Sequence, residues 1–344
     1  MANKLLMRAR RAKNDEFYTQ LDDINRELCH YKEHFKNKEV LCNCDDPRVS
    51  EFFNYFALNF KHLGLKKLIT TCYKNQEPDL FSRHESDRAV YLEYNGCFSR
   101  YDNVPTAKDI GIKHLKGDGD FRSAECIELL KQADIVVTNP PFSLFREYVG
   151  QLIAYDKKFL IVGNKNAITY KEIFKLIKEN KLWLGYADKI KTFEVSENYD
   201  GKLPVICRDG HRFVENVGNV CWFTNLDVKY RHENLICYRK YTPEKYPKYD
   251  NYDAINVDKV ADIPYDYDGV MGVPITFLDK YCPEQFEILD INPHFFTLAE
   301  RGLPKIKQLS LKKAGRKKDP FARILIRRRP SKWLDKPYPV GYEE

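Results

Sequence analysis

The segment Asp134–Phe142, with the sequence DIVVTNPPF, constrains the fold more than any other stretch of the chain. Its run of β-branched residues predicts a short buried strand. Two prolines follow, and they cannot donate backbone hydrogen bonds and have a fixed φ. The strand must therefore stop at Asn139 in a stiff, extended turn, because proline also restricts the residue before it. We expect Asn139 and Phe142 to be presented from a rigid platform.

Strands and helices alternate along the first half of the chain, which predicts an α/β fold with a mostly parallel, doubly wound sheet. One amphipathic helix is predicted from Leu21 to Phe35, because apolar residues recur there at helical spacing. The other predicted helices begin near Arg48, Ser123, Ser143 and Tyr170, and the predicted strands are VLCNC, KKLITTCY, DIVVT, KKFLIVG, NVCWFTNLDV and FARILIRR. The alternation stops after Leu184, and we place a domain boundary near residue 228.

The composition excludes several classes of protein. A chain of 344 residues with 43% hydrophobic and 31% charged residues is typical of a globular protein. No apolar run approaches the roughly 18 residues of a membrane helix, and the first residues lack the apolar core of a secretory signal. We therefore expect a cytoplasmic protein without membrane attachment. The ten cysteines form no C-x-x-C pair, so no metal site is expected.

The net charge of +7 is concentrated in two segments. Lys305–Arg329 contains eleven Lys or Arg and one acid, and Lys4–Lys13 contains five bases and no acid, so the rest of the chain is acidic. This distribution suits a globular enzyme that binds a polyanion at chosen places. Solvated charge runs that bind nothing are the alternative at this point.

The carboxyl ends of the predicted parallel strands should line one crevice, where open sheets bind ligands. Asn43–Asp46, Cys72–Tyr73 and Thr138–Phe142 follow or end three of these strands. The side-chain oxygen of Asn139 and the carbonyl of Pro140 can each accept one hydrogen of an adenine amine, which makes the nitrogen lone pair available, while Phe142 stacks on the base. A paired adenine would have to flip out of its duplex to reach such a site.

Several motifs resemble those of S-adenosylmethionine-dependent amino-methyltransferases. TNPPF is similar to their catalytic motif, GDGDFRS to the element that holds the cofactor's adenine, and DEFYTQ to the motif that lines its methionine end. CNCDDPRVSEFF occupies the place of their first cofactor loop but lacks its usual glycines, so side chains are expected to replace backbone contacts. The resemblance implies catalytic residues Asn139, Pro140, Pro141 and Phe142 and cofactor-binding residues Phe17, Tyr18, Thr19, Asn43, Asp45, Asp46, Asp120 and Phe121.

Over about residues 3–290 the chain closely resembles the EcoRI-type adenine-specific DNA methyltransferase family, in CNCDDPRVS, DIVVTNPPFSLFREYV, YPKYDNYDAINV and GVMGVPITFL among other stretches. This resemblance implies a Rossmann-like methyltransferase domain over residues 1–228, with a basic arm at 1–13, and a target-recognition region over 229–344. It also implies S-adenosylmethionine as cofactor, double-stranded DNA as partner and N6 methylation of the inner adenine of a GAATTC-like site. The implied setting is a type II restriction-modification system, in which a monomer shares its site with a cognate endonuclease.

The strongest departure from the family lies after residue 290. The basic residues there most simply neutralise phosphates, which strengthens binding without reading sequence. The expected DNA-binding residues are Arg8, Arg10, Arg11, Lys312, Lys313, Arg316, Lys317 and Lys318. Trp222 is a candidate wall for the flipped adenine, with a core tryptophan as the alternative. The Tyr-rich stretch Tyr241–Tyr267 is a candidate for approaching the duplex, with an ordinary packed loop as the alternative.

Two other functions fit parts of the pattern. Asn-Pro-Pro-aromatic turns also serve methyltransferases that modify RNA or a protein glutamine amide, and the basic tail argues against these substrates. A catalytically silent DNA-binding protein would carry a broken motif, whereas NPPF and GDF are intact. We therefore expect an active DNA adenine methyltransferase.

Overall fold

The computed structural model describes residues 17–73, 89–97, 105–187, 190, 192–195, 203–208, 210–215, 220–296, 308–313, 316–318 and 322–330. The chain divides into two compact units. The first unit comprises Met1–Ile173 and Leu182–Leu226, and the second comprises Phe174–Lys181 and Asp227–Glu344. Within the described ranges, no helix has the length and apolar character needed to cross a membrane. The assignment of methyl transfer to residues 1–228 and of target recognition to residues 229–344 stays a prediction.

Seven α-helices lie in the described ranges. They are α1 (Leu21–Leu28), α2 (Lys32–Phe35), α3 (Glu51–Leu63), α4 (Ala107–Ile110), α5 (Ala124–Gln132), α6 (Phe145–Ala154) and α7 (Lys171–Lys178). Short 3-10 helices cover Phe142–Leu144, Lys165–Thr169, Lys229–His232, Val260–Asp262 and Ile275–Lys280.

The strands of the first unit are β1 (Phe17–Thr19), β2 (Glu39–Asn43), β3 (Lys67–Cys72), β4 (Val90–Tyr94), β5 (Lys113–His114), β6 (Ile135–Thr138), β7 (Lys158–Asn164), β8 (Trp183–Leu184), β9 (Thr192–Val195), β10 (Val205–Arg208), β11 (His211–Glu215) and β12 (Val220–Thr224). Those of the second unit are β13 (Ile255–Asn256), β14 (Met271–Pro274), β15 (Phe286–Asn292), β16 (Leu311–Lys313), β17 (Arg316–Lys318) and β18 (Arg323–Arg328).

The predicted helix from Leu21 to Phe35 is broken into α1 and α2. Tyr31 lies between them outside helical geometry, with φ −114°, and donates its hydroxyl to Glu27 Oε1 at 2.8 Å. The predicted apolar stripe is nevertheless fully buried at Ile24, Leu28, Tyr31 and Phe35. Periodicity thus identified the buried face but not the break.

The main sheet of the first unit has the strand order β5-β4-β3-β2-β6-β7-β12-β8. Its central strands β3, β2, β6 and β7 are parallel, while β4 and β5 on one side and β12 and β8 on the other pair antiparallel. The fold is therefore mixed α/β. The predicted parallel pairing is confirmed for the four central strands and wrong for the flanking ones.

The N-terminal strand joins a smaller sheet whose order is β1-β9-β11-β10. β1 pairs antiparallel with β9, with Phe17 opposite Val195. Close by in sequence, Glu27 accepts the backbone N–H groups of Tyr186 at 2.7 Å and Ala187 at 2.6 Å. Burial raises the pKa of the Glu27 carboxyl. The first residues of the unit are therefore fixed by residues about 160 positions later in the chain.

The second unit is built on the sheet β13-β14-β18-β15. β18 lies between β14 and β15 and pairs antiparallel with both, so the strand predicted at FARILIRR is confirmed as a central one. Ile324, Leu325 and Ile326 are fully buried in it. β16 and β17 form a separate two-stranded antiparallel ribbon, with Lys312 opposite Lys317.

Candidate functional site

Three of the predicted site segments meet at one edge of the main sheet. β2 lies between β3 and β6 and runs parallel to both, so all three strands end on the same side. Asn43, Cys72 and Thr138 are the last residues of these strands. The structure thus brings the first-loop residues and the Asn-Pro-Pro-Phe turn together.

The Asn-Pro-Pro-Phe turn continues β6 in extended form and then enters a helix. Asn139, Pro141 and Phe142 are half-buried, and Pro140 is buried. Pro141 is extended, with φ −55° and ψ 124°, and a 3-10 helix begins at Phe142. The turn therefore presents the Asn139 side chain and the Phe142 ring at a partly open surface, as expected from the two prolines.

The loop after β2 makes its sharp turn without glycine. Cys44 has a φ of +76°, the left-handed conformation that glycine usually supplies. The Asp45 N–H then donates to the carbonyl of Thr71 in β3 at 2.9 Å. Ser50 ends the loop and caps α3, accepting the N–H groups of Phe52 at 3.2 Å and Phe53 at 3.4 Å. The loop thus leads directly into a capped helix N-terminus.

Asp45 is buried and turned towards the Asn-Pro-Pro-Phe turn. Its carboxylate accepts the hydroxyl of Thr138, the hydroxyl of Ser50 at 3.1 Å and the backbone N–H of Asn139. Burial raises the pKa of this carboxyl to about 7, against the effect of the three hydrogen bonds and with a smaller contribution from the Asp46 charge. Asp45 therefore carries a carboxyl that titrates near neutral pH.

Asn43 and Asp46 are also held by protein groups. The side-chain oxygen of Asn43 accepts the hydroxyl of Tyr148 in α6, and its carbonyl accepts the hydroxyl of Thr138. Asp46 Oδ1 accepts the backbone N–H of Arg48 at 2.9 Å and its Nε at 2.8 Å. The loop side chains predicted to bind a cofactor thus have protein partners of their own.

The Gly-Asp-Phe element packs on the end of β3. Gly119 has a φ of +77°, and a Cβ there would lie 2.6 Å from the carbonyl oxygen of Cys72, so only glycine fits. Asp120 Oδ1 accepts the Nε of Arg122 at 2.9 Å, and this hydrogen bond lowers the pKa of the Asp120 carboxyl. Phe121 is buried with its ring edge-on to that of Tyr148 at 5.1 Å. Asp120 is thus an ionised acceptor at the edge of the sheet.

Thr19 is the predicted cofactor residue of the N-terminal motif whose side chain the structure describes. It is 3% exposed, and its hydroxyl has no hydrogen-bond partner within the described residues. A buried polar group without a partner is costly, so a ligand at this position would satisfy it. β1, which ends at Thr19, also packs against α3. Phe17 and Tyr18 are described by their backbone alone.

Sequence reasoning missed the residues that brace these motifs. Thr138, Ser50 and Tyr148 hold Asp45 and Asn43, and Arg122 holds Asp120. The available signal was their position: each lies inside or next to a predicted motif, and Ser50 stands where a helix cap is expected. The partners of Thr138 and Tyr148 lie 93 and 105 positions away, and periodicity does not predict them.

The expected DNA-binding residues are only partly within the structure. Arg8, Arg10 and Arg11 lie outside the described residues. Lys312, Lys313, Arg316, Lys317 and Lys318 lie on the ribbon of β16 and β17, which the structure describes by its backbone. Not every basic side chain of Lys305–Arg329 is exposed to solvent. Arg328 is buried and donates to the carbonyl of Pro264 at 2.9 Å.

Trp222 belongs to the core, and the Tyr-rich stretch is partly buried and partly exposed. Trp222 is fully buried in β12 and packs edge-on against Phe52 at 6.0 Å, so the prediction that it walls an open site is wrong and the core alternative holds. In the Tyr-rich stretch, Tyr246 and Tyr249 are buried while Tyr265 is exposed. The stretch is thus partly packed and partly at the surface, and both alternatives for it stay open.

Comparisons with known proteins identify the family of the chain. The family model described as "Adenine-specific methyltransferase EcoRI" matches residues 5–329. "Type II methyltransferase M.EcoRI" of Escherichia coli is 52% identical, covering 94% of this chain and 96% of the relative. M.MgeORF184P of Mycoplasma genitalium is 40% identical, covering 93% of this chain and 98% of the relative. M.MpnI of Mycoplasma pneumoniae is 42% identical, covering 83% of this chain and 86% of the relative. No solved structure gives a significant match. The chain therefore belongs to the EcoRI family of adenine-specific methyltransferases.

Proposed function

We propose that this adenine-specific methyltransferase modifies double-stranded DNA at the N6 amine of an adenine that is flipped out of the duplex, within a type II restriction-modification system. The observation that carries this proposal is the Asn139–Phe142 turn at the carboxyl end of a central parallel strand. The names of the three relatives support the type II setting. The resemblance supports a GAATTC-like target, cytoplasmic action as a monomer and a cognate endonuclease that cuts the same site.

The turn supplies the groups that an exocyclic amine needs. The Asn139 side-chain oxygen and the Pro140 carbonyl accept the two amine hydrogens, which draws the nitrogen lone pair out of the ring, and Phe142 stacks on the base. The prolines keep both acceptors in place, so little reorganisation is required. A bound methyl donor would supply the methyl group to this amine, which would lose one proton to solvent.

The residues at the sheet edge fit S-adenosylmethionine, which supplies an electrophilic methyl group on a sulfonium sulfur. Thr19 offers a buried hydroxyl that is without a partner in the described residues. Asp120, held ionised by Arg122, is suited to accept the amine of the cofactor's adenine. The parallel centre of the sheet, with these residues at its carboxyl end, supports a doubly wound, Rossmann-like arrangement.

The ribbon of the second unit supports a role in DNA binding. Lys312 stands opposite Lys317, and Lys313 opposite Arg316. Like charges directly opposite each other destabilise a ribbon, and phosphates placed between them relieve that repulsion. We infer that the second unit contains the target-recognition region and that this ribbon contacts the DNA backbone.

The test is transfer of a tritiated methyl group to duplexes that contain GAATTC, compared with single-base variants of the site, structured RNA and protein acceptors. Nuclease digestion then identifies the modified base. We expect N6-methyladenine in the GAATTC duplex alone. N6-methyladenine at another DNA sequence would retain the chemistry and reject the target, whereas label in RNA or protein, or no label at all, would reject the proposed function.

A further inference from the structure

The Asn-Pro-Pro-Phe turn has a single backbone donor with which its first residues can be anchored. Pro140 and Pro141 have no N–H, so the N–H of Asn139 is the only backbone donor in the Asn-Pro-Pro tripeptide. That N–H donates to the carboxylate of Asp45. The backbone of Asn139 is therefore anchored by a side chain from the loop after β2, 94 positions earlier in the sequence.

Thr138 links the same two segments a second time. Its hydroxyl contacts the Asp45 carboxylate and the carbonyl oxygen of Asn43, and its single hydrogen can be donated to one of them at a time. Thr138 is 0% exposed and Asp45 is 8% exposed. Hydrogen bonds that are shielded from water in this way are strong and costly to break.

The second carboxylate oxygen of Asp45 also accepts a hydrogen bond from within the protein. Ser50, the cap of α3, donates to its other carboxylate oxygen at 3.1 Å. An ionised carboxylate accepts about four hydrogen bonds, and the described contacts account for most of them. The side chain therefore joins the first loop, the cap of α3 and the start of the Asn-Pro-Pro-Phe turn.

We propose that Asp45 and Thr138 are positioning residues for methyl transfer, which together fix the Asn139 backbone so that the Asn139 and Pro140 oxygens meet the amine hydrogens. The inference rests on the proposed function. It assigns Asp45 to the amine site, whereas the sequence motif suggested that Asp45 binds the cofactor. Asp45→Asn keeps the size of the side chain but replaces one acceptor oxygen with a donor, so the inward hydrogen bonds have to rearrange.

The test is a double-mutant cycle on the rate of transfer in a single turnover, with enzyme in excess over duplex so that product release does not contribute. We expect Asp45→Asn and Thr138→Val each to lower this rate by about 10- to 100-fold, since small displacements of reacting groups have effects of that order. Equilibrium dialysis with tritiated S-adenosylmethionine should give dissociation constants within about threefold of wild type. The double variant should be about as slow as the slower single variant, because both act through one contact.

Two matched variants control for loss of a buried hydroxyl. Thr138→Ser keeps the hydroxyl and should restore the rate to within about threefold of wild type. Thr70 lies in β3, which β2 separates from β6; it is also 0% exposed, and its hydroxyl has no partner in the described residues. Thr70→Val should therefore leave the rate unchanged, and thermal unfolding of each variant shows that it is folded.

The outcomes separate the inference from the function on which it rests. If Asp45→Asn weakened cofactor binding about tenfold or more while keeping the wild-type rate at saturating cofactor, Asp45 would be a cofactor ligand and the inference would be wrong. Losses that multiply in the double variant would also overturn it. If wild-type protein modified another DNA sequence, the same cycle would be run on that duplex, and wild-type protein without any transfer would refute both proposals.

Discussion

The two units place buried charged side chains in different surroundings. In the first unit the buried charges at the sheet edge are acids, and Asp45 and Asp46 receive hydrogen bonds within the motifs that form the candidate site. In the second unit the buried charges include arginines, and Arg328 donates to a carbonyl and lies over the ring of Phe286 at 5.2 Å. Buried acids thus lie at the candidate site in the first unit, whereas the buried Arg328 packs within the second unit.

This difference changes how the basic tail is interpreted. Arg323 contacts Asn256 Oδ1 at 3.4 Å, and Arg327 forms a surface ion pair with Glu287 at 2.9 Å. Together with Arg328, these bases of β18 interact with their own unit. The positive charge that the sequence assigns to Lys305–Arg329 is therefore partly used within the fold, and the ribbon of β16 and β17 is the better candidate for phosphate contacts.

The largest effect is expected for substitution of Asn139. If this effect were absent, the contrast between the two units would not hold. Asn139→Ala removes one of the two acceptors for the amine, and loss of one preorganised polar group of this kind lowers a rate by about 100- to 1,000-fold. Cofactor binding should be nearly unchanged, because the acceptor faces the substrate. Single-turnover transfer and equilibrium dialysis measure the two quantities, and a variant with near-normal transfer would reject the mechanism.

The second-largest effect is the pH-dependent change in unfolding free energy that results from burying the Asp45 carboxyl. Its folded pKa of about 7 lies above the ordinary value of 3.8, so the folded state holds the proton more tightly. Its contribution to stability is present at low pH and is lost as pH rises through about 7. The nearby Cys42 and Cys44 thiols and Tyr148 phenol have pKa values raised by burial, so they stay neutral in this range.

Asp45→Asn does not titrate, so its stability relative to wild type should increase from pH 5 to pH 8.5, by an amount on the order of 2 kcal/mol. Denaturant unfolding at several pH values measures this difference. A difference that does not change with pH would show that the carboxyl is not destabilised by burial, and the contrast between the units would lose its electrostatic basis.

A smaller effect is expected at Arg328. Arg328→Met keeps the apolar contact with Phe286 but leaves the Pro264 carbonyl without its donor, which should cost about 1–3 kcal/mol of unfolding free energy. The salt dependence of DNA binding should stay as in wild type. Arg327→Met is the matched control from the same strand, and its exposed ion pair should contribute less than about 1 kcal/mol. A reduced salt slope in Arg328→Met would place this arginine at the DNA after all.

The smallest effect is expected in the ribbon. Lys312→Gln and Lys317→Gln should each weaken DNA binding to a similar extent for all sequences and reduce the slope of log K against log salt by about 1. Their stability should be unchanged or slightly increased, because a like-charge pair is removed. Binding titrations at several salt concentrations test this, and an unchanged slope would exclude phosphate contact.

Much of the first unit follows from local patterns. The helix predicted to begin near Arg48 is present as α3 (Glu51–Leu63), and β6 begins and ends as the DIVVT run and the prolines require. These features depend on neighbours in sequence. The antiparallel flanking strands did not follow, because pairing partners are chosen over long distances in the chain. The contact between Thr138 and Asp45, 93 positions apart, was missed for the same reason.

The pairing of β1 with β9 has a consequence for the order in which the protein forms during its synthesis. The N-terminal strand, which carries Thr19, can be completed only after residues 192–195 have emerged, and the bonds of Glu27 require residues 186 and 187. The nascent chain therefore contains the complete Asn-Pro-Pro-Phe turn before Phe17–Thr19 and Glu27 find their partners. Chains that end before residue 192 would carry the turn but leave Thr19 without the pairing of β1 with β9.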